Sequence, residues 1–195
     1  MKRIATSILT LLSLGAAAQV NPDSARTLRE VTIRPYFSTQ PLLRATGSVG
    51  IVDPYIIARQ PATSLIPAVN TTSGVRMEER SPGSYRLSIR GSLLRSPFGI
   101  RNVKLYFDEF PLTDAGGNSY LNALDVNAVG QLQILKGPQS SVYGANSGGV
   151  VLISPEAQTA GPAASLKVEG GSFGMFHENA SVSNSWKNYE LSISQ

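Results

Sequence analysis

The side chains that usually carry chemistry are few and scattered in this sequence. His177 is the single histidine, and no second ligand stands at a metal-closing distance from it along the chain. There is no cysteine, which removes disulfide frameworks, thiolate zinc sites, iron–sulfur clusters and cysteine nucleophiles together. A Ser-His-Asp relay would hang on His177 alone, and neither a G-x-S-x-G elbow nor an H-E-x-x-H helix occurs. Asp108, Glu109 and Asp114 bring three carboxylates close in sequence, but their spacing does not fit a calcium loop, so they read as turn residues. Gly144-Ala145-Asn146-Ser147-Gly148-Gly149 is glycine-rich, yet it lacks the Lys-Ser/Thr pair of a phosphate cradle and leads into a strand. It reads as a tight turn that uses positive φ angles, and His177 reads as an ordinary surface or lumen residue. The expectation is a protein that is not an enzyme, with no metal site and no cofactor.

Composition narrows the class further. The 195 residues are 42% hydrophobic and only 15% charged, with 18 Gly and 12 Pro. A typical soluble domain carries roughly 25% charged residues, so this chain is poor in charge while holding enough apolar surface to fold. No apolar run reaches the roughly 20 residues of a membrane-spanning helix. The first residues have the three parts of a secretory signal: Lys2 and Arg3, an apolar stretch from Ile4 to Leu14, and the small residues Ala16-Ala17-Ala18. Residues 1–18 are therefore expected to be cleaved after Ala18, leaving Gln19 at the mature end. Lipid anchoring is excluded because no cysteine can carry the lipid. The formal charge of +4 falls to +2 once Lys2 and Arg3 are gone, which is no nucleic-acid signature.

The elements that must position any site come next. Residues 19–47 read as a polar, turn-prone tail holding one β-prone stretch, Leu28 to Ile33, with no partner strand nearby. Such a stretch is either loose or waiting for a sheet edge on another protein. Strands are expected at Val49–Val52, Gly74–Glu78, Tyr85–Arg90, Val103–Phe107, Gln131–Leu135 and Val150–Ile153, where apolar and polar residues alternate or apolar runs are short. Short helices are expected at Pro54–Arg59 behind Asp53, at Leu65–Val69, at Leu121–Val129 and from Ser140 to Tyr143. This mixture predicts an α+β domain with a small β-sheet and short helices over 48–154. After a linker at 155–164 the texture changes. In 165–195, Leu166, Val168, Phe176, Ala180, Val182, Trp186, Tyr189, Leu191 and Ile193 alternate with small polar residues along strands of about ten, the outer-membrane barrel pattern. The chain stops inside such a strand and is expected to be the front part of a longer protein with a truncated barrel.

Several ordered segments of 48–154 resemble the plug domain of TonB-dependent outer-membrane receptors. They are SVGIVDPYIIARQPATSLIPAVNTTSGVRMEER, YRLSIRG, VKLYFDEFPLTDAGG and LDVNAVGQLQILKGPQSSVYGANSGGVVLISP. Ile89-Arg90-Gly91 matches the family's Ile-Arg-Gly motif, and Lys136-Gly137-Pro138 through Gly148-Gly149 is similar to its closing motif. The stretch YRLSIRGSLLRSPFG looks close to the ferric-citrate and siderophore branch. Leu28-Arg29-Glu30-Val31-Thr32-Ile33 resembles the TonB box and lies in the matching place before the plug.

The resemblance implies a small mixed sheet filling the lumen of a 22-stranded barrel, with the tail in the periplasm and the barrel in the cell outer membrane. It implies TonB, with ExbB and ExbD, as the partner of Leu28, Arg29, Glu30, Val31, Thr32 and Ile33. A ferric chelate is the expected ligand, and cobalamin, a glycan, or a stand-alone binding role are the alternatives. Arg95, Arg101 and Tyr120, in turns expected at the extracellular apex, are the candidate ligand contacts, suited by charge to an anionic chelate. Arg90 and Lys136, near strand ends, are the candidate latches onto acidic barrel residues.

Overall fold

The computed structural model describes residues 31–34, 38–61, 63–92, 99–138, 140–144, 148–155, 161–186 and 189–194. The Val-, Ile- and Leu-rich runs in the middle of the chain assemble into one mixed sheet. In chain order its surroundings are β1 (Thr32–Ile33), β2 (Gln40–Pro41), β3 (Ser48–Val52), helices α1 (Pro54–Ala58) and α2 (Ile66–Val69), and the hairpin β4 (Val75–Ser81) with β5 (Ser84–Ile89). Then follow β6 (Ile100–Arg101), β7 (Val103–Phe107), β8 (Phe110–Pro111), β9 (Asn118–Ser119), β10 (Val129–Lys136), α3 (Ser140–Tyr143) and β11 (Gly149–Pro155). The central sheet has the order β3-β10-β11-β7-β8. Only the β11–β7 pair is parallel; β10 runs antiparallel to both of its neighbours.

Both faces of this sheet are covered, so β10 is buried almost continuously rather than alternately, as strands packed on two sides are. Leu132 and Ile134 join Val52, Leu65, Met77, Leu87, Ile89, Leu105, Val151 and Ile153 in the main core. Leu135, Val150 and Tyr143 form a smaller cluster, in which the rings of Tyr106 and Tyr143 meet edge-on at 5.4 Å. Asp53 caps α1 by accepting from the Ile56 amide at 2.8 Å, with Pro54 in the first helical position; proline is already set for that φ and gives up only an orphan donor.

The α+β class and the mixed sheet are as expected, with two departures. Leu121–Val129 is not a helix. The Asp125 carboxylate accepts from the Asn127 amide at 2.9 Å, which tightens Val126–Ala128 into a single 3-10 turn, and Val129 already belongs to β10. Local Asp and Asn hydrogen bonds of this kind compete with helix. The second departure is at the end of the β-prone tail. Thr32–Ile33 has a partner strand within the chain, Gln40–Pro41, and Ile33 is fully buried.

Beyond the central sheet, β12 (Ala163–Gly170), β13 (Phe176–Trp186) and β14 (Tyr189–Ser194) form an antiparallel meander. Its apolar face is exposed: Leu166 at 74%, Val182 at 62% and Ile193 at 64% of full accessibility. Its polar face is turned toward Asn127 and the helices α1 and α2. Asn127 Nδ2 donates to His177 Nε2 at 3.2 Å, and Ser165, Lys167 and Asn179 line a cleft of about 200 Å³ shared with α1 and α2. Water-soluble sheets bury their apolar face; this one presents it outward and packs its polar face inward, as a lipid-facing wall around a wet lumen does. Among the described residues no helix is long and apolar enough to cross a membrane, which says nothing of crossing by strands.

Candidate functional site

Arg101 and Tyr120, 19 residues apart in sequence, are drawn together by the smallest elements of the fold. The two-residue strands β6 and β9 pair so that Arg101 lies opposite Asn118, and Tyr120 follows directly. Ser119, buried, donates to the Val103 carbonyl at 2.9 Å and shares a hydrogen bond with Thr113 Oγ1. Thr113 Oγ1 also accepts from the Leu105 amide at 3.0 Å, so the 113–120 turn is fastened to β7 through two hydroxyls. Asp114 shapes the turn itself, accepting from the Asn118 amide at 2.9 Å and from the Tyr120 hydroxyl at 3.1 Å.

These bonds set the electrostatics. The backbone amide of Asn118, above all, holds the Asp114 carboxyl below its ordinary range. The Tyr120 phenol is pushed up by its bond to Asp114 and by that carboxylate's charge, while the Arg101 charge pulls it the other way. Arg101, Asp114 and Tyr120 therefore form one polar group, exposed beside a cleft of about 280 Å³ lined by Tyr85, Ile100, Tyr120 and Asn122. Asp114 was grouped in sequence with Asp108 and Glu109; its oxygens instead serve Asn118 and Tyr120. Arg95 lies outside the described residues.

A lowered carboxyl gives stability that is complete above the unfolded pKa and is lost as pH falls through the folded one. The 113–120 turn should hence persist across the usual carboxylate titration near 3.8 and loosen only in stronger acid. Hydrogen exchange at the Asn118 amide checks this: protection retained at that pH and lost below it is expected, and loss already above it would contradict the bond.

Arg90 and Lys136 lie near enough for their charges to interact. Lys136 Nζ donates to the Ser73 carbonyl at 2.7 Å, and its pKa is lowered, first by burial and then by the Arg90 charge. Arg90 stands at φ 51°, in the left-handed region that few side chains adopt without cause. Neither of the ion pairs Arg76–Glu78 and Lys167–Glu169 involves this pair of cations.

Of the expected box residues, Leu28, Arg29 and Glu30 lie outside the described residues. Val31 is half-exposed, Thr32 is exposed and Ile33 is buried. The residue that sequence reasoning missed is Gln133. Its side chain, 3% exposed on the central strand, accepts from the Arg34 amide at 2.9 Å and donates to Gln131 Oε1 at 3.1 Å. A glutamine at a buried position of β10 was the only available signal.

Residues 41–151 match the TonB-dependent Receptor Plug Domain, more than half of the chain. The chain belongs to this family. It is a family of receptors rather than enzymes. Solved structures share the fold at low identity. The ferric preacinetobactin receptor BauA from Acinetobacter baumannii is 17% identical with a TM-score of 0.65, over 84% of this chain and 24% of that one. The ferric yersiniabactin uptake receptor FyuA from Yersinia pestis is 21% identical with a TM-score of 0.57, over 76% and 23%. The alcaligin outer-membrane receptor FauA from Bordetella pertussis is 17% identical with a TM-score of 0.59, over 78% and 26%. This plug-domain chain thus spans about a quarter of the length of each.

Proposed function

We propose that this chain is the front part of an energy-coupled importer of the cell outer membrane, and that its plug closes the pore to a ferric chelate. The observation that carries the reading is the inverted sheet β12–β14, apolar side outward and polar side on the plug, which suits a barrel wall and no soluble module. The domain limits proposed are a signal peptide at 1–18, a periplasmic tail at 19–47, the plug at 48–154, a linker at 155–164 and the first barrel strands at 165–195. The similar structures are receptors named for siderophores, which favours a ferric chelate over cobalamin or a glycan.

In this reading the box residues Leu28 to Ile33 add as a strand to TonB, driven by ExbB and ExbD, with backbone hydrogen bonds giving grip. Arg95, Arg101 and Tyr120 contact the chelate at the apex. Arg90 and Lys136 latch onto carboxylates of the barrel wall. The pKa of Lys136 is lowered first by burial and then by the Arg90 charge, and a partly buried cation beside a second one gains from an acidic partner. Wet ion pairs are individually weak, which suits a plug that must move.

Radioiron uptake by cells expressing the full gene product, across a panel of ferric chelates, tests the reading. Uptake of at least one chelate that depends on TonB is expected, and uptake of cobalamin or a glycan alone would overturn the ferric assignment. Arg101→Ala should weaken chelate affinity about tenfold, the loss of one charge-assisted hydrogen bond, and Tyr120→Phe less. Unchanged affinity in Arg101→Ala and Arg95→Ala together would remove the apex site.

A further inference from the structure

The tail does not reach the plug as a slack tether. Thr32 pairs with Pro41 and Ile33 with Gln40, so the two ends of the segment between them are held side by side. Ile33 is fully buried. The next amide, Arg34, donates to Gln133 Oε1 across 99 residues of sequence, and Gln133 sits on β10, the strand paired on both sides within the central sheet. Resting on the proposal that a partner pulls on residues 28–33, we infer that Thr32–Ile33, Gln40–Pro41 and Gln133 form a mechanical clip that must open before the pull reaches β3.

The geometry sets what the clip does. While it is closed, force applied ahead of Thr32 is shared between Gln133, in the middle of the sheet, and the Gln40–Pro41 ladder. The bonds resisting are few: a two-residue ladder, one side-chain acceptor and one buried isoleucine. They give way before strands such as β10, which is bonded along both edges over most of its length. Opening frees seven Cα steps, which extend to roughly 24 Å at about 3.4 Å each, less the roughly 5 Å already spanned between paired strands. A gain of about 20 Å of free chain follows, and it unmasks Ile33 for strand pairing with the partner.

Gln133 acts here as a positioning residue. Its Nε2 is held by Gln131 Oε1 at 3.1 Å, which leaves Oε1 aimed at the Arg34 amide. These 195 residues contain no cysteine, so cysteines placed at Thr32 and Pro41, which face each other across the ladder, meet no competing thiol within them.

The experiment is single-molecule pulling on the full gene product in membrane fragments, through a handle attached ahead of Leu28. A discrete extension of about 20 Å before any larger plug event is expected. Gln133→Leu should lower the force of that event, and Ile33→Ala should lower it independently. The Thr32→Cys/Pro41→Cys variant should lose the event when oxidised and regain it on reduction. A trace with no short event, or an event of the same size in the oxidised variant, overturns the clip; an unchanged force in Gln133→Leu overturns the role of Gln133. These traces require no chelate and no uptake, so their outcome is separate from that of the importer reading.

Discussion

Gly149→Ala should prevent the plug from reaching its folded state. Gly149 stands at φ +146° at the start of β11, where a Cβ would run into the backbone carbonyl oxygen of Leu135 and lie 3.2 Å from Ile89 Cδ1. The obstacle is a backbone atom of the central strand β10, so no rotamer change relieves it. The crossing is tight because the neighbouring backbone groups are all engaged: Gly137 N–H donates to the Gly148 carbonyl at 3.0 Å, and Gly148 N–H to the Asn102 carbonyl at 2.8 Å. A clash that shifts two paired strands, added to a disallowed φ, belongs with the exceptional single-site losses above about 4 kcal/mol, against a net stability of about 5–15 kcal/mol for a whole domain. Gly91→Ala separates the two causes. It has φ +77° with nothing within 4 Å of a new Cβ, so it should cost only about 1–2 kcal/mol. Urea titration of the detergent-solubilised protein, with yield of folded material, measures both. Equal midpoints for Gly149→Ala and the native chain would mean that β11 does not cross Leu135 this closely.

The same contrast explains what could be read from the residues alone. Val103–Phe107 was legible to its last residue because Val103, Leu105 and Phe107 pack on the main core while Lys104 and Tyr106 alternate with them, and β12–β14 nearly so because its two faces meet different media; neither pattern needs knowledge of partners. The glycine pair at 148–149 was legible as a turn with positive φ but not as a close crossing, since the atom that demands glycine belongs to Leu135, which sequence distance does not point to. Strands of two residues, β6, β8 and β9, carry no periodicity at all. The turn that holds β9 exists because Ser119 and Thr113 find the Val103 carbonyl and the Leu105 amide, and β8 because it folds back on the end of β7. The expected helix at Leu121–Val129 failed for a local reason: Leu121 and Leu124 do pack on the core, but Asp125 and Asn127 satisfy each other before a second turn can form. The grouping of Arg101 with Tyr120 was inferred from two loops and depends on the β6–β9 ladder. The partner Asp114 and the tail's anchor on Gln133 are long-range consequences that spacing does not encode.

Val31→Pro should then abolish uptake while leaving chelate affinity within about twofold. Val31 is 49% exposed and precedes β1, so the change touches neither the Ile33 burial nor the Arg34–Gln133 bond, and it is remote in sequence from Arg101 and Tyr120. An added strand grips through its backbone, and proline deletes one N–H donor and fixes φ near −65° in the middle of the box. Leaving one ladder acceptor unsatisfied costs about 1–3 kcal/mol, or a hold on the partner weaker by roughly 5- to 150-fold, and the misfitted φ adds to it. Val31→Ala keeps the donor and loses only β preference, so it should lower uptake by less than about fivefold, an effect of at most about 1 kcal/mol. The pair of variants tells a backbone-read box from one read by side chains. Uptake unchanged in Val31→Pro would show that the pull enters elsewhere along the tail, and loss of chelate binding in the same variant would show a damaged plug rather than a silenced box. With binding intact and uptake gone, the break lies between the partner and the clip, ahead of Thr32.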